Sequence, residues 1–286
     1  MSLLVTAAEL AELLDTPTPP LVLDVRWTLA QPDGRPAYLT GHVPGAVFVD
    51  LETELSGHRA PTEGRHPLPD VAVLQDAARR WGLHEGRSVV VYDDAGGLAA
   101  GRAWWLLTHA GLTDVRLLDG MLPTWRAAGL PLAEGDQPAE PGDVTLHYGS
   151  LPVLGLEAAA AYPEHGVLLD VRAPERYRGE VEPMDPTAGH IPGAVNAPTA
   201  ANLDADGRFL DVPALQARFA ELGLAPGSEV GVYCGSGVTA AHTAVALTLA
   251  GYRPAVYPGS WSQWSNHPDR PVATTGLDGQ ESVSPG

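Results

Sequence analysis

LVLDVRW at residues 21–27 returns as VLLDVRA at 167–173, and that return decides how the chain is read. Further along each half, GHVPGAV at 41–47 recurs as GHIPGAV at 189–195, and VVVYDD at 89–94 as VGVYCG at 230–235. DGMLPTW at 119–125 likewise recurs as PGSWSQW at 258–264. The offset stays close to about 140–150 residues throughout, so the sequence holds two copies of one domain. Each copy alternates short apolar runs with amphipathic stretches: helix, LVLDV or VLLDV, the GH-hydrophobe-PGA turn, helix, SVVVYD or EVGVYC, and a long apolar helix. Continuous apolar strands separated by helices predict an α/β fold with a mainly parallel sheet flanked by helices on both faces in each copy. Gly111 and Gly251 stand where each long helix should be capped. The expected boundaries are a first domain over 1–134, a linker over 135–150 rich in Gly, Pro and acid, a second domain over 151–275, and a disordered tail over 276–286.

Charge narrows the partners. Seventeen basic residues oppose 35 acidic ones, for a net charge of −18. Such a surface repels nucleic acid and anionic membranes. Every basic residue is arginine, which excludes lysine Schiff-base chemistry and a P-loop lysine. No apolar run reaches membrane-spanning length and no signal-peptide pattern is visible, so a cytoplasmic protein is expected. One cysteine permits neither an internal disulfide nor a cysteine metal cluster, and the ten histidines suggest no metal site; no cofactor is expected.

Repetition sorts residues by role. Asp24/Asp170, Arg26/Arg172 and His42/His190 occur in both copies and are read as structural. The copies differ most at the end of the central strand: Asp93-Asp94-Ala95-Gly96 in the first, Cys234-Gly235-Ser236-Gly237-Val238-Thr239 in the second. The carboxyl end of a parallel strand entering a helix is where ligands bind in open α/β sheets. Small loop residues let backbone N–H groups converge as an anion nest, and the helix adds its positive dipole end. A cysteine there is favoured as a thiolate nucleophile. Asp93, a permanent anion, should fill the equivalent nest in the first copy. A cysteine phosphatase would need a guanidinium to close this loop. Ala240 occupies that position, and no residue from Cys234 to Ala240 is charged.

The two copies, the DVR strand ends, the PGA turns and the CGSGVTA loop resemble tandem rhodanese-domain sulfurtransferases, from about Val5 to Val272. Within that family CGSGVT is most like the loop of 3-mercaptopyruvate sulfurtransferases; thiosulfate enzymes carry basic side chains there. An uncharged Gly-Ser-Gly loop offers little compensation for a dianion, whereas a hydroxyl suits a carbonyl-bearing monoanion. The resemblance implies Cys234 as nucleophile, Ser236 as loop serine, and Gly235, Gly237, Val238 and Thr239 as backbone donors. It implies that Arg176 holds the substrate carboxylate and that His66, in RHPLP, serves a proton relay from the first domain. Glu52 falls where the family has its relay carboxylate. A second carboxylate-binding arginine of the family is replaced by Asp185, with Arg178 as the nearest substitute in sequence. The site is then expected in a cleft between the domains.

The implied reaction passes sulfur from a small-molecule donor, 3-mercaptopyruvate, through a Cys234 persulfide to cyanide or a thiol acceptor such as a thioredoxin. The alternatives are a thiosulfate:cyanide sulfurtransferase and, in a different class, a non-catalytic binding module, against which the intact cysteine loop speaks.

Overall fold

The computed structural model describes residues 2–58, 60–275 and 281–284. The chain forms two compact units. The first contains β1 (Leu4–Val5), α1 (Ala7–Leu14), β2 (Leu21–Asp24), α2 (Arg35–Thr40), β3 (Val47–Phe48), α3 (Leu51–Glu54), α4 (Val71–Arg80), β4 (Val89–Tyr92), α5 (Leu98–His109), β5 (Val115–Leu118) and α6 (Met121–Ala127). Its five strands run parallel in the order β1-β5-β4-β2-β3. The second contains α7 (Leu156–Ala161), β6 (Leu168–Asp170), α8 (Pro174–Tyr177), β7 (Val195–Asn196), α9 (Val212–Glu221), β8 (Glu229–Tyr233), α10 (Val238–Leu249), β9 (Arg253–Val256) and α11 (Ser260–Trp264). Its parallel sheet has the order β7-β6-β8-β9, the same order as β3-β2-β4-β5. Both units are sheets flanked by helices.

The central strands β2 and β4 are buried along their full length, as apolar runs covered on both faces must be. The long helices α5 and α10 end in matching fashion. Gly111 and Gly251 adopt φ of +103° and +87°. The following N–H of Leu112 or Tyr252 donates back to the carbonyl of Leu107 or Leu247, closing a Schellman cap.

The shared polar residues are structural in both units. Arg26 donates to both oxygens of Asp24 and to the Gly41 carbonyl; Arg172 does the same with Asp170 and the Gly189 carbonyl. Each pair is buried yet satisfied by further hydrogen bonds, the condition on which a buried ion pair is tolerated. His42 and His190 place Nδ1 at 3.0 and 2.7 Å from the carbonyls of Tyr38 and Tyr177 and stack on those same rings.

The boundaries differ from the sequence expectation in three places. Residues 135–150 are no free linker: they belong to the first unit, with Val144 and Leu146 buried and the Val144 N–H donating to the Leu83 carbonyl. The units also exchange short segments, His58–Pro67 belonging to the second and Asp204–Phe209 to the first. Within the expected disordered tail, β11 (Glu281–Ser284) pairs antiparallel with β10 (Val272–Thr275), because alternating polar and small residues can ladder onto an open edge. Residues 276–280 and 285–286 of that tail lie outside the described residues. Among the described residues no helix is long and apolar enough to cross a membrane.

Candidate active site

Strand β8 delivers Cys234 to its carboxyl end, where the thiol is free and 2% exposed. The loop then folds back sharply into α10. Gly237 has φ +81°, and a Cβ there would lie 2.4 Å from the Pro258 carbonyl oxygen, so glycine alone permits the approach. That fold brings the Gly237 N–H to 3.1 Å from Cys234 Sγ. From behind, the turn into α11 clamps Cys234. The Trp261 N–H donates to the Cys234 carbonyl at 3.0 Å and the Ser262 N–H to the Gly235 carbonyl at 2.8 Å.

Ser260, unnoticed in the sequence, starts that turn in the left-handed region at φ +53°. Its hydroxyl accepts the Cys234 N–H at 3.1 Å, donates to the Tyr257 carbonyl at 2.8 Å, and stands 4.0 Å from Sγ. In the first unit Met121 has the corresponding positive φ, +59°, without a hydroxyl. The strained turn therefore belongs to the fold and the serine to the cysteine-bearing copy.

His66 reaches the loop on a segment that lies early in the sequence but belongs to the second unit. This corrects the expectation that it is contributed by the first domain. Three features tie the segment to α11. Gly64, at φ +95°, passes so close that a Cβ would sit 2.8 Å from the Gly259 carbonyl oxygen. The Arg65 N–H donates to Ser262 Oγ at 2.9 Å. The Thr62 carbonyl accepts from Gln263 Nε2 at 3.1 Å and His267 Nε2 at 2.9 Å. His66, 2% exposed, thereby places Nδ1 2.8 Å from Ser236 Oγ. Glu52 lies in α3 of the first unit, where its carboxylate accepts the Trp27 indole N–H at 2.8 Å.

The loop is uncharged in sequence but not in space. Arg176, on α8, carries Nη1 to 3.4 Å from where a Cβ on Gly235 would stand, and Arg65 carries Nη2 to 3.6 Å. Two guanidiniums thus face the loop and bring it positive charge that its own residues lack. The second is Arg65 rather than Arg178, which pairs with Glu180 nearer the surface. Both facing arginines are themselves held by buried acids. Glu182 takes Arg176 at 2.6 Å and Arg172 at 3.4 Å; Asp185 takes Arg65 at 2.8 Å and Arg176 at 3.5 Å.

The first unit's counterpart is filled. Asp93 is fully buried, and its carboxylate accepts N–H groups from Ala95, Gly97, Ala99 and Ala100 at 2.8–3.1 Å. By the repeat, Gly97, Ala99 and Ala100 correspond to Gly237, Thr239 and Ala240. The last two are first-turn amides of α10, whose N–H groups have no partner within the helix. A ring of donors of this kind stabilises an anion at the cysteine.

The rhodanese-like domain family matches the chain twice, over residues 6–128 and 156–267. A Mycobacterium tuberculosis protein assigned provisionally as a thiosulfate sulfurtransferase is 50% identical over 94% of this chain and 96% of its own length. A Pseudomonas aeruginosa protein assigned, also provisionally, as a 3-mercaptopyruvate sulfurtransferase is 49% identical over 95% and 98%. Among solved structures, SseA from Escherichia coli, described as showing the rhodanese fold of 3-mercaptopyruvate sulfotransferases, superposes with a TM-score of 0.81 at 33% identity. That match covers 91% of this chain and 99% of SseA.

Proposed function

The chain belongs to the tandem rhodanese-domain sulfurtransferase family, and from that premise we propose that it moves sulfur from 3-mercaptopyruvate through a persulfide on Cys234 to a thiol acceptor or cyanide. The observation that carries the reading is the convergence on one loop of the only thiol, the His66–Ser236 hydrogen bond and the Arg65 and Arg176 guanidiniums. A carboxylate donor has two guanidiniums to receive it, and a carbonyl-bearing donor has a hydroxyl coupled to an imidazole.

In the first step the Cys234 thiolate attacks the donor sulfur; an S–S bond forms and the C–S bond breaks. The electron pair passes to the departing carbon as the enolate of pyruvate. The proton of the donor thiol ends on that carbon, with Ser236 and His66 as its route. In the second step an acceptor thiolate attacks the outer sulfur and restores the Cys234 thiolate. With no second cysteine in the chain, the acceptor thiol comes from outside, from a thioredoxin-type protein or a small thiol. A single working thiol also suits a reducing, cytoplasmic compartment.

Thiosulfate is the competing donor, favoured by the name of the mycobacterial relative and by the two guanidiniums at the loop. The test compares kcat/KM for pyruvate release from 3-mercaptopyruvate with that for sulfite release from thiosulfate, each with a thiol acceptor. The expected result is a preference of at least about 100-fold for mercaptopyruvate. Equal or reversed efficiencies would overturn the donor assignment.

A further inference from the structure

The two relatives of nearly equal identity carry different donors in their names, so overall similarity does not choose between a monoanionic and a dianionic donor. The charges around Gly235 do. Two guanidiniums alone would suit an anion of charge −2. Here each is backed by a carboxylate whose side chain is 2–3% exposed. Glu182 is committed to structure: besides Arg176 and Arg172, it accepts the N–H groups of Met184 and Asp185. Asp185 is different. One oxygen takes Arg65; the other, buried and without a hydrogen-bond partner, faces Arg176 at 3.5 Å. It spans the two guanidiniums that meet the donor and lowers the positive charge of both.

We infer that Asp185 determines the charge class of the sulfur donor, making the arginine pair selective for a singly charged carboxylate over a doubly charged oxyanion. This rests on the functional reading above. Repulsion from one extra negative charge acts once on a monoanion and twice on a dianion, so removing it favours the dianion by the square of its effect on the monoanion. The discrimination is a repulsive element built next to an attractive one.

Asp185→Asn removes the charge and leaves an oxygen that still accepts from Arg65 Nη1. Neutralising one charge beside a partly exposed site should raise kcat/KM for mercaptopyruvate about fivefold and for thiosulfate about 25-fold. Asp185→Glu keeps the charge and should keep the wild-type ratio. An independent reading needs no turnover: protection of Cys234 from alkylation by neutral iodoacetamide, with pyruvate and sulfate as the protecting anions. Sulfate protection should strengthen in Asp185→Asn more than pyruvate protection does. Equal factors for both anions, a loss for both, or the same ratio change in Asp185→Glu would overturn the inference. A wild-type enzyme that releases no pyruvate from mercaptopyruvate would sink the donor assignment alone, since the alkylation ratio would still judge Asp185.

Discussion

The Asp93 loop and the Cys234 loop are the same piece of architecture put to opposite uses. Both follow the central strand, both lead into a long apolar helix, and both are closed from behind by a turn whose first residue has positive φ. In the first, four N–H groups are spent on a carboxylate belonging to the chain itself. In the second, the residue at the centre is a free thiol, the proposed carrier of sulfur, with a hydroxyl, an imidazole and two guanidiniums around it. A ring of backbone donors is therefore not itself a catalyst. Filled permanently it is a fold element; centred on a group that can change its charge and its bonds, it becomes a site.

A reciprocal pair of variants separates the two loops. Cys234→Ser should abolish sulfur transfer, by at least about 10⁴-fold, while changing stability by less than about 1 kcal/mol. Asp93→Ala should strand four donors, three of them buried, and cost about 2–4 kcal/mol, read from the urea midpoint at constant m, with little loss of kcat in the folded fraction. Residual transfer in Cys234→Ser, or an Asp93→Ala protein of wild-type stability, would show that the two loops are not divided in this way.

A smaller effect is expected at the turn behind the nucleophile. Ser260→Gly tolerates the positive φ and removes only the hydroxyl that accepts the Cys234 N–H. It should lower kcat about tenfold with KM nearly unchanged, and Ser260→Thr should recover part of that loss. Replacing Met121 by Gly at the matching position of the first unit should leave kcat alone. A matching loss there would reassign the serine to general stability.

The smallest effect concerns pH and the repeated histidine turn. Burial lowers the His190 pKa below its ordinary value of 6.5. The unfolded chain therefore takes the proton first, and the stability held above pH 6.5 is lost as pH falls below it. Between pH 7.5 and 5.5 the loss should be about 1 kcal/mol or less, and His190→Gln should flatten that part of the curve. An unchanged slope in the variant would move the acid sensitivity to another group, His109 among them, whose pKa burial also lowers.

The fold was legible because a parallel strand buried on both faces writes itself as a run such as LVLDV, and because writing it twice exposed a repeated unit. The Cys234 loop stood out because the copies diverge there, whereas Ser236 and Arg176 were singled out only through the family resemblance; the structure brings Arg176 and His66 to that loop. Arg65 was missed although it adjoins His66, since its ionic partner Asp185 lies 120 residues away and no local pattern links them. Ser260 was hidden because its conformation, not its identity, repeats in the other copy. The linker was misjudged on composition: Gly, Pro and acid mark a segment without regular structure, and Val144 and Leu146 show that such a segment can still be packed.

The exchange of His58–Pro67 and Asp204–Phe209 has a consequence for how such a gene can change. A recombination crossover placed between the repeats, near residue 150, would hand on the thiol and Arg176 but leave Arg65 and His66 behind. The second repeat is therefore not a portable cassette. Duplication could have built this chain from one module, but the swapped segments now oblige both halves to be inherited together.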